Sequence, residues 1–262
     1  MIMSQTGSRT RSQKPIIAVC GKGGVGKTAL SALLAKAFLD LGAKPLLLMD
    51  ADPAGGLISV IGQKAKSSLA SARERMIESA RSSDPTAKTR LAQDLDYLVM
   101  EALEEREGFA FLAIGRMEEK GCFCPANTLL REAIDLLAEP FAVVLIDAEA
   151  GLEQISRQVT RNVTRVLAVS DGSARSLATV EIIGQMVGAE RMAIVFNRLD
   201  EKAGQAIVDG LPPAIAAAPV LGCVPEDETL QAFDRRGRTL WELPAGNPTM
   251  QAAAGIAKAL LE

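Results

Sequence analysis

Short apolar runs alternate with longer amphipathic stretches along most of this 262-residue chain. Glycine or polar residues bound the runs, which is typical of buried strands, and most of the stretches between them space their apolar residues as helices do. This alternation predicts an α/β fold: a mostly parallel, doubly wound sheet of about seven strands with helices on both faces. The predicted strands are 15–20, 45–49, 109–114, 141–146, 166–170, 192–196 and 220–224.

The composition of the chain limits the classes of molecule that it is expected to bind. Apolar residues make up 48% of the chain but aromatic residues only 3%, so the core has to be built from alanine, leucine, isoleucine and valine. The net charge is −3, and the one basic run, at 235–238, is interpreted as a solvated loop. Every apolar stretch is shorter than the roughly 20 residues that a membrane span needs. We therefore expect a cytoplasmic protein that binds neither nucleic acid nor membrane.

One glycine-rich turn, between the first strand and the helix after it, has the pattern of a phosphate-binding loop: Gly-Lys-Gly-Gly-Val-Gly-Lys-Thr at 21–28. Gly21 and Gly26 allow successive backbone N–H groups to wrap a phosphate at a helix N-terminus. Lys27 is then expected to meet the β- and γ-phosphates, and Thr28 to offer a hydroxyl to Mg²⁺. The predicted nucleotide contacts of this loop are Gly23, Gly24, Val25, Gly26, Lys27, Thr28 and Ala29.

The loop also contains Lys22, a second lysine that the phosphate cradle itself does not require. With it, the loop resembles the deviant Walker A motif, Lys-Gly-Gly-x-Gly-Lys-Ser/Thr, of the nitrogenase iron protein, MinD and ParA superclass of ATPases. The resemblance implies that Lys22 reaches across a homodimer interface and neutralises charge on the nucleotide of the other subunit. A solvated surface lysine is the alternative.

Domain boundaries follow from the same patterns. Residues 1–14 are polar with scattered positive charge, which predicts a disordered leader and no signal peptide. No linker rich in proline, glycine or serine divides the rest, so we expect one domain from 15 to 262. The stretch 63–107 is charged, alanine-rich and helical in pattern apart from a break near 82–85. This helical insertion either reports the nucleotide state to a partner or covers the sheet edge.

Three aspartates follow predicted strands at the carboxyl edge, where ligands bind in open sheets. By resemblance to the superclass, Asp52 is the switch I residue that positions or deprotonates the attacking water, and 148–151 resembles switch II. Asp147 matches a Walker B aspartate, and Asp50 is expected to touch the water shell of the metal. Helix capping is the ordinary alternative for each. The expected catalytic residues are Lys22, Lys27 and Asp52, and the expected magnesium ligands are Thr28, Asp50, Asp52 and Asp147.

Base recognition is predicted at the ends of the last two strands. Asn197 closes the sixth strand and offers an amide to the base, with Arg198 beside it. The run Asn-Arg-Leu-Asp at 197–200 also resembles the Asn-Lys-x-Asp signature of GTPases, whose aspartate accepts from guanine, but arginine replaces the lysine. The extra lysine of the phosphate loop favours ATP. Pro225, Glu226 and Asp227 follow the seventh strand, where the superclass often lines adenine.

Four cysteines and the absence of histidine limit the possible metal chemistry. Cys20 and Cys223 lie in apolar strands and are expected to be buried packing residues. Cys122 and Cys124 can turn two thiolates to one side of an extended loop, which is half of a tetrahedral sulfur site. A twofold dimer completes four sulfurs on its axis, a set that suits Ni²⁺ or Zn²⁺. A disulfide or inert packing is the alternative.

The run Gly-Cys-Phe-Cys-Pro at 121–125, taken with Leu-Leu-Arg at 129–131 and Asp-Ala-Glu-Ala-Gly-Leu-Glu at 147–153, resembles the CooC family of carbon monoxide dehydrogenase accessory ATPases. The resemblance extends from the phosphate loop to the C-terminal helix. It implies an ATP-dependent homodimer that assists nickel insertion into carbon monoxide dehydrogenase or acetyl-CoA synthase. Two other classes remain open: an iron–sulfur reductase of nitrogenase iron-protein type, and a ParA- or MinD-like positioning ATPase.

Overall fold

The computed structural model describes residues 14–53, 55–81, 95–116, 124–148 and 162–262, with the backbone alone at 76–81, 95, 124–129 and 234. The predicted leader, apart from Lys14, lies outside the described residues, and so does the predicted break near 82–85. Within the described ranges the strands form one 8-stranded sheet, and helices pack on both of its faces. The predicted α/β fold class is confirmed.

Apolar runs predicted seven of the strands to within about two residues at each end. The strands are β1 (Ile16–Gly21), β2 (Leu46–Asp50), β3 (Glu104–Arg106), β4 (Phe109–Ala113), β5 (Val143–Asp147), β6 (Arg165–Ser170), β7 (Met192–Asn197) and β8 (Val220–Val224). Their order in the sheet is β3-β4-β2-β5-β1-β6-β7-β8, and β3 pairs antiparallel with β4 while the other neighbours are parallel. The chain passes from β1 to β2 on one side of β1 and later crosses from β5 to β6 on its other side. This reversal places a ligand crevice at the carboxyl end of β1.

The helices form a layer on each face of the sheet. They are α1 (Lys27–Asp40), α2 (Leu57–Val60), α3 (Leu69–Arg81), α4 (Leu95–Ala102), α5 (Cys124–Leu137), α6 (Ala174–Val187), α7 (Glu201–Val208), α8 (Glu228–Arg235) and α9 (Pro248–Leu261). One face packs against α1, α2, α8 and α9, and the other against α3 to α7. None of the helices in the described ranges is both long enough and apolar enough to cross a membrane.

β2 shows how a single strand serves both layers. Leu47 and Met49 belong to one core cluster, whereas Leu46 and Leu48 belong to the other. Because successive side chains alternate across a sheet, a strand that is covered on both faces needs an unbroken apolar run. The carboxyl ends of these buried strands are therefore the places where polar residues begin, and the candidate site lies there.

The stretch 63–107, predicted as a helical insertion, ends in a strand. Helices α3 and α4 supply its helical part, but Glu104–Arg106 forms β3 at the edge of the sheet. These three residues are charged, so they show none of the apolar alternation by which strands are recognised. Pairing with β4 therefore overrides the local pattern.

A buried carboxylate secures this edge. Glu104 is 8% exposed, and its Oε1 accepts the backbone N–H groups of Lys66 at 2.5 Å and Ser67 at 3.2 Å. Its Oε2 lies 2.5 Å from the guanidinium of Arg106. Glu104 thus joins β3 to the loop that precedes α3.

Replacing Glu104 with alanine should lower the free energy of unfolding by about 2 kcal/mol, because two backbone N–H groups lose their acceptor and Arg106 loses its partner. Glu105→Ala is the matched control, since Glu105 is the next residue of the same strand and is exposed. Urea unfolding followed by circular dichroism measures both variants. Equal losses would show that the buried carboxylate does not secure the edge.

Candidate nucleotide-binding site

The loop between β1 and α1 holds glycines in conformations that other residues rarely adopt. The φ angle is 148° at Gly21, 83° at Gly24 and 91° at Gly26. A Cβ at Gly21 would collide with the carbonyl oxygen of Val169, and one at Gly26 would collide with the amide of Asn197. Gly26 also precedes α1 and has no side chain to cap the N–H groups of the first turn. Such a helix start is an anion cradle.

The two lysines of the loop have different surroundings. Lys27 is 9% exposed, and its Nζ donates to the carbonyl oxygen of Lys22 at 3.4 Å, which holds the ammonium over the loop. Lys22 itself is half-buried. The hydroxyl of Ser173 donates to Asp171 at 2.7 Å and lowers the pKa of that carboxyl, and the positive charge of Lys22 adds to the effect. Lys22 therefore lies near the loop that follows β6.

Two carboxylates lie side by side at the carboxyl ends of β2 and β5. The register of these strands pairs Asp50 directly with Asp147, and each residue is 1% exposed. Ser31 donates its hydroxyl to Oδ1 of Asp147 at 2.9 Å, and Thr28 donates a second hydroxyl to the same carboxylate. The structure thus brings together three of the four predicted magnesium ligands, Thr28, Asp50 and Asp147.

Burial makes these carboxylates hard to ionise. It raises the pKa of Asp147 to about 6, against the hydroxyls of Thr28 and Ser31 and the charge of Lys27, while the negative charge of Asp50 adds to the increase. Burial also raises the pKa of Asp50, against three backbone hydrogen bonds that lower it. A bound divalent cation would stabilise the ionised form of both carboxyls and so offset the effect of burial. Mg²⁺ prefers hard oxygen ligands of this kind.

Asp50 also holds the start of α2. Its Oδ2 accepts the N–H groups of Gly56 at 3.0 Å and Leu57 at 3.1 Å, and its Oδ1 accepts the N–H of Asp52 at 3.2 Å. The carboxylate thereby satisfies donors that a helix start cannot satisfy by itself. Asp50 therefore caps the start of α2, which was the alternative to a metal role. Its place in a magnesium water shell stays a prediction. Asp52, the predicted switch I residue, lies in the turn between Asp50 and α2.

A cavity of about 400 Å³ opens beside the phosphate loop. It is lined by two of the contacts predicted for the loop, Gly26 and Ala29, and by four residues predicted for base recognition: Asn197, Arg198, Pro225 and Glu226. We call it the base cavity. Asp227, the next residue after Glu226, also lines it, as predicted for the adenine end. Its other walls come from α2, α8 and the segment after α8: Ser59, Val60, Leu230, Gln231, Gly237, Arg238 and Leu240.

Arg238 is fixed in the wall of the base cavity. Its guanidinium lies 4.1 Å from the ring centre of Phe233 and donates Nε and Nη2 to Oε2 of Glu242 at 2.9 and 2.7 Å. The ring and the carboxylate together hold a planar cation at the cavity surface. The interpretation of 235–238 as a solvated loop was therefore incomplete, because the last residue of the run lines this cavity.

The run Asn-Arg-Leu-Asp at the end of β7 has its first and last residues in different places. Asn197 donates its Nδ2 to the carbonyl oxygen of Val25 at 2.7 Å and so ties β7 to the phosphate loop. Asp200 instead accepts the N–H of Ala203 at 2.7 Å as the cap of α7, and it lines a separate groove of about 550 Å³ between α7, β8 and α9. The aspartate of the GTPase-like run therefore lies outside the base cavity, which favours ATP over GTP.

The predicted Cys-x-Cys metal site falls outside the described side chains. Cys122 lies outside the described residues, and Cys124, where α5 begins, is described by its backbone alone. Residues 149–151 of the predicted switch II also lie outside them. Within the described part of the chain, no group of three or more His, Cys, Asp or Glu side chains could hold a metal ion.

The other two cysteines are in strands, as predicted. Cys20 is fully buried in β1, and burial raises the pKa of its thiol to about 12, which makes it an inert packing residue. Cys223 is only half-buried because β8 is an edge strand.

The glycine cradle, the two lysines and the carboxylate pair define a P-loop nucleotide-binding protein. Residues 16–240 match the model of the CobQ/CobB/MinD/ParA nucleotide binding domain. The chain belongs to this family of P-loop ATPases.

Relatives and solved structures agree with this assignment. The uncharacterized ATP-binding protein MJ0685 of Methanocaldococcus jannaschii is 34% identical over 257 residues, which is 94% of this chain and 98% of that protein. The carbon monoxide dehydrogenase accessory protein CooC of Rhodospirillum rubrum is 30% identical over 239 residues, 87% of this chain and 89% of CooC. The septum site-determining protein MinD of Pyrococcus horikoshii OT3, complexed with Mg-ADP, has the same fold, with a TM-score of 0.66, 19% identity and coverage of 94% of this chain and 95% of MinD.

Without magnesium and nucleotide, the free energy of unfolding should fall as the pH rises from about 4 to about 7. The folded state keeps a proton on Asp147 up to a pKa of about 6, whereas an unperturbed aspartate loses it near 3.8. Asp147→Asn should remove up to about 3 kcal/mol of this decline. Urea unfolding in EDTA between pH 4 and 8 measures the slope, and the exposed Asp209→Asn is the control. A wild-type slope in Asp147→Asn would contradict this reading of the carboxylate pair.

Proposed function

We propose that this ATPase is a metal-insertion accessory protein. It binds ATP with Mg²⁺, forms a homodimer around a metal site at Cys122 and Cys124, and assists nickel insertion into carbon monoxide dehydrogenase or acetyl-CoA synthase. One observation carries the proposal: a chain 30% identical to the CooC protein of Rhodospirillum rubrum combines a Cys-x-Cys pair with a second lysine in its phosphate loop. The nickel is cargo, and therefore a substrate of the protein.

The phosphate loop and the carboxylates beside it support the proposal that the protein binds ATP. The N–H groups of the loop wrap the phosphates, and Lys27 neutralises them from its buried position. Thr28 and Asp147 present hard oxygen atoms where burial makes an uncompensated carboxylate unfavourable, so this donor set fits Mg²⁺. Bound there, the ion would neutralise charge on the phosphate oxygens. Asp52, in the turn after β2, orients the attacking water.

The second lysine supports a dimeric arrangement. Lys27 already occupies the cradle, whereas the charge of Lys22 acts on Asp171 in the loop after β6. In the proposed dimer, Lys22 of each subunit reaches the nucleotide of the other and stabilises charge on the transferring phosphoryl group. Hydrolysis in either site then requires both chains.

The cysteine pair supports a shared metal site. Each chain offers two closely spaced thiols and no histidine, so a tetrahedral site for Ni²⁺ or Zn²⁺ needs two chains. The helix that begins at Cys124 packs residues such as Ile134 into the core, and β5, which ends at Asp147, follows it in the chain. Along the chain, Cys124 begins this helix–strand unit and Asp147 ends it. Coupling between metal binding and dimerisation must be reciprocal, so metal tightens the dimer and dimerisation tightens metal binding.

A positioning ATPase of MinD or ParA type is the second candidate, favoured by the fold of the solved structures. Such a protein needs a DNA-binding or membrane-binding surface. The C-terminal helix α9 instead packs against α1 and β8, and the chain has a net charge of −3. Sedimentation with DNA and with anionic liposomes separates the two functions, because the metal-insertion protein sediments with neither.

Replacing both Cys122 and Cys124 with serine should abolish metal-linked dimerisation while ATP binding persists, because the thiolates are remote in sequence from the phosphate loop. Light scattering with a nonhydrolysable ATP analogue and Ni²⁺ or Zn²⁺ measures the dimer. We expect metal to lower the dimer dissociation constant of the wild type at least about tenfold and to leave the double variant unchanged. Cys223→Ser, which removes a half-buried thiol elsewhere, is the matched control.

Two outcomes contradict the proposal. Dimers of the double variant that still form in response to metal would exclude Cys122 and Cys124 as the shared ligands. A wild-type protein that stays monomeric with nucleotide and metal both saturating would exclude the shared site altogether.

A further inference from the structure

Helix α2 connects the carboxylate pair to the base cavity. At its start, the N–H groups of Gly56 and Leu57 lie 3.0 and 3.1 Å from Oδ2 of Asp50. At its end, the carbonyl oxygen of Val60 accepts the hydroxyl of Thr239 at 3.2 Å. The last two residues of the helix line the base cavity. One short helix thus reaches from a buried carboxylate to the expected place of the base.

A helix this short depends on contacts outside itself. Leu57–Val60 is little more than one turn, and the first turn of a helix is unfavourable on its own. Ile61 is buried behind it. Asp50 holds the backbone at one end and Thr239 at the other, where Gly62 approaches so closely that a Cβ would collide with Thr239.

We propose that Asp50 is a positioning residue whose carboxylate, by accepting the N–H groups of Asp52, Gly56 and Leu57, holds α2 in place as a wall of the base cavity. The inference rests on the proposed nucleotide site and gives Asp50 a role there that does not require Mg²⁺. When the carboxylate is lost, the donors at the start of α2 are left without their acceptor. The helix then loosens, and the base loses one wall of its cavity.

A magnesium-shell role and this positioning role differ in one measurable respect. A carboxylate that acts only through Mg²⁺ changes nucleotide binding only when Mg²⁺ is present. A carboxylate that holds the cavity wall changes the binding of ADP in EDTA as well. Thr239 contacts the opposite end of α2, so weakening its hydrogen bond tests the same wall independently of the carboxylate pair.

The experiment is a calorimetric titration of the full chain with ADP in EDTA, paired with hydrogen–deuterium exchange of the peptide covering 52–62. Asp50→Asn should weaken ADP binding about tenfold, because the amide keeps one acceptor oxygen and loses the other. It should also speed exchange at 52–62. Thr239→Val should weaken ADP binding about threefold or more, since it removes the hydrogen bond to Val60 and also the acceptor of the Trp241 N–H group. Asp200→Asn, which alters the cap of α7 outside the base cavity, should match the wild type.

Each other result overturns a defined part of the account. If Asp50→Asn binds ADP like the wild type in EDTA and loses affinity only when Mg²⁺ is added, Asp50 acts through the metal and the positioning role is wrong. If Asp50→Asn does not fold, unchanged ADP affinity in Thr239→Val overturns the role instead. If the wild type does not bind ADP, the proposed nucleotide site is wrong. The positioning role is then tested by exchange alone, and an exchange rate at 52–62 in Asp50→Asn equal to that of the wild type would contradict it.

Discussion

The site depends on a strand register that brings two buried carboxylates together. β2 and β5 pair Asp50 with Asp147, and both side chains are withdrawn from water. Withdrawing a carboxylate from water is unfavourable, and burial raises the pKa of both carboxyls, while the charge of Asp50 adds to the rise at Asp147. The surrounding chain offsets the effect of burial, because hydroxyls from α1 donate to Asp147 and N–H groups ahead of α2 donate to Asp50. The same compensation fixes the two helix starts that form the nucleotide site.

The phosphate loop, the carboxylate pair and the base cavity consequently form one contiguous unit at the carboxyl edge of the sheet. α1 begins at the phosphate loop and contacts Asp147, while the start of α2 donates to Asp50 and its last two residues line the base cavity. Asn197 closes the unit from the other side, since it bonds Val25 across 172 positions of sequence. The unit thus includes α2 and the end of β5, and β5 follows the helix that begins at Cys124 in the chain.

The sequence was sufficient for most of the sheet and for the phosphate loop. Strands that are covered on both faces must be apolar throughout, so seven of them were visible as apolar runs. The strand Glu104–Arg106 was not predicted, because its residues are charged and only pairing with β4 makes them a strand. Ser59 and Arg238 were also not predicted to line the base cavity, since their positions there depend on how α2 and the segment after α8 fold over it. Asp50 was expected at the correct edge, but its contacts with the backbone ahead of α2 have no signature in spacing.

The central claim is that this edge of the sheet is a site for ATP. Calorimetric titration of the purified chain with ATP and with GTP, each in the presence of Mg²⁺, tests it most directly. The account predicts one ATP bound per chain and at least about tenfold weaker binding of GTP, because the only aspartate in the GTPase-like run, Asp200, lies outside the base cavity. Equal affinity for GTP, or no binding of either nucleotide, would contradict it.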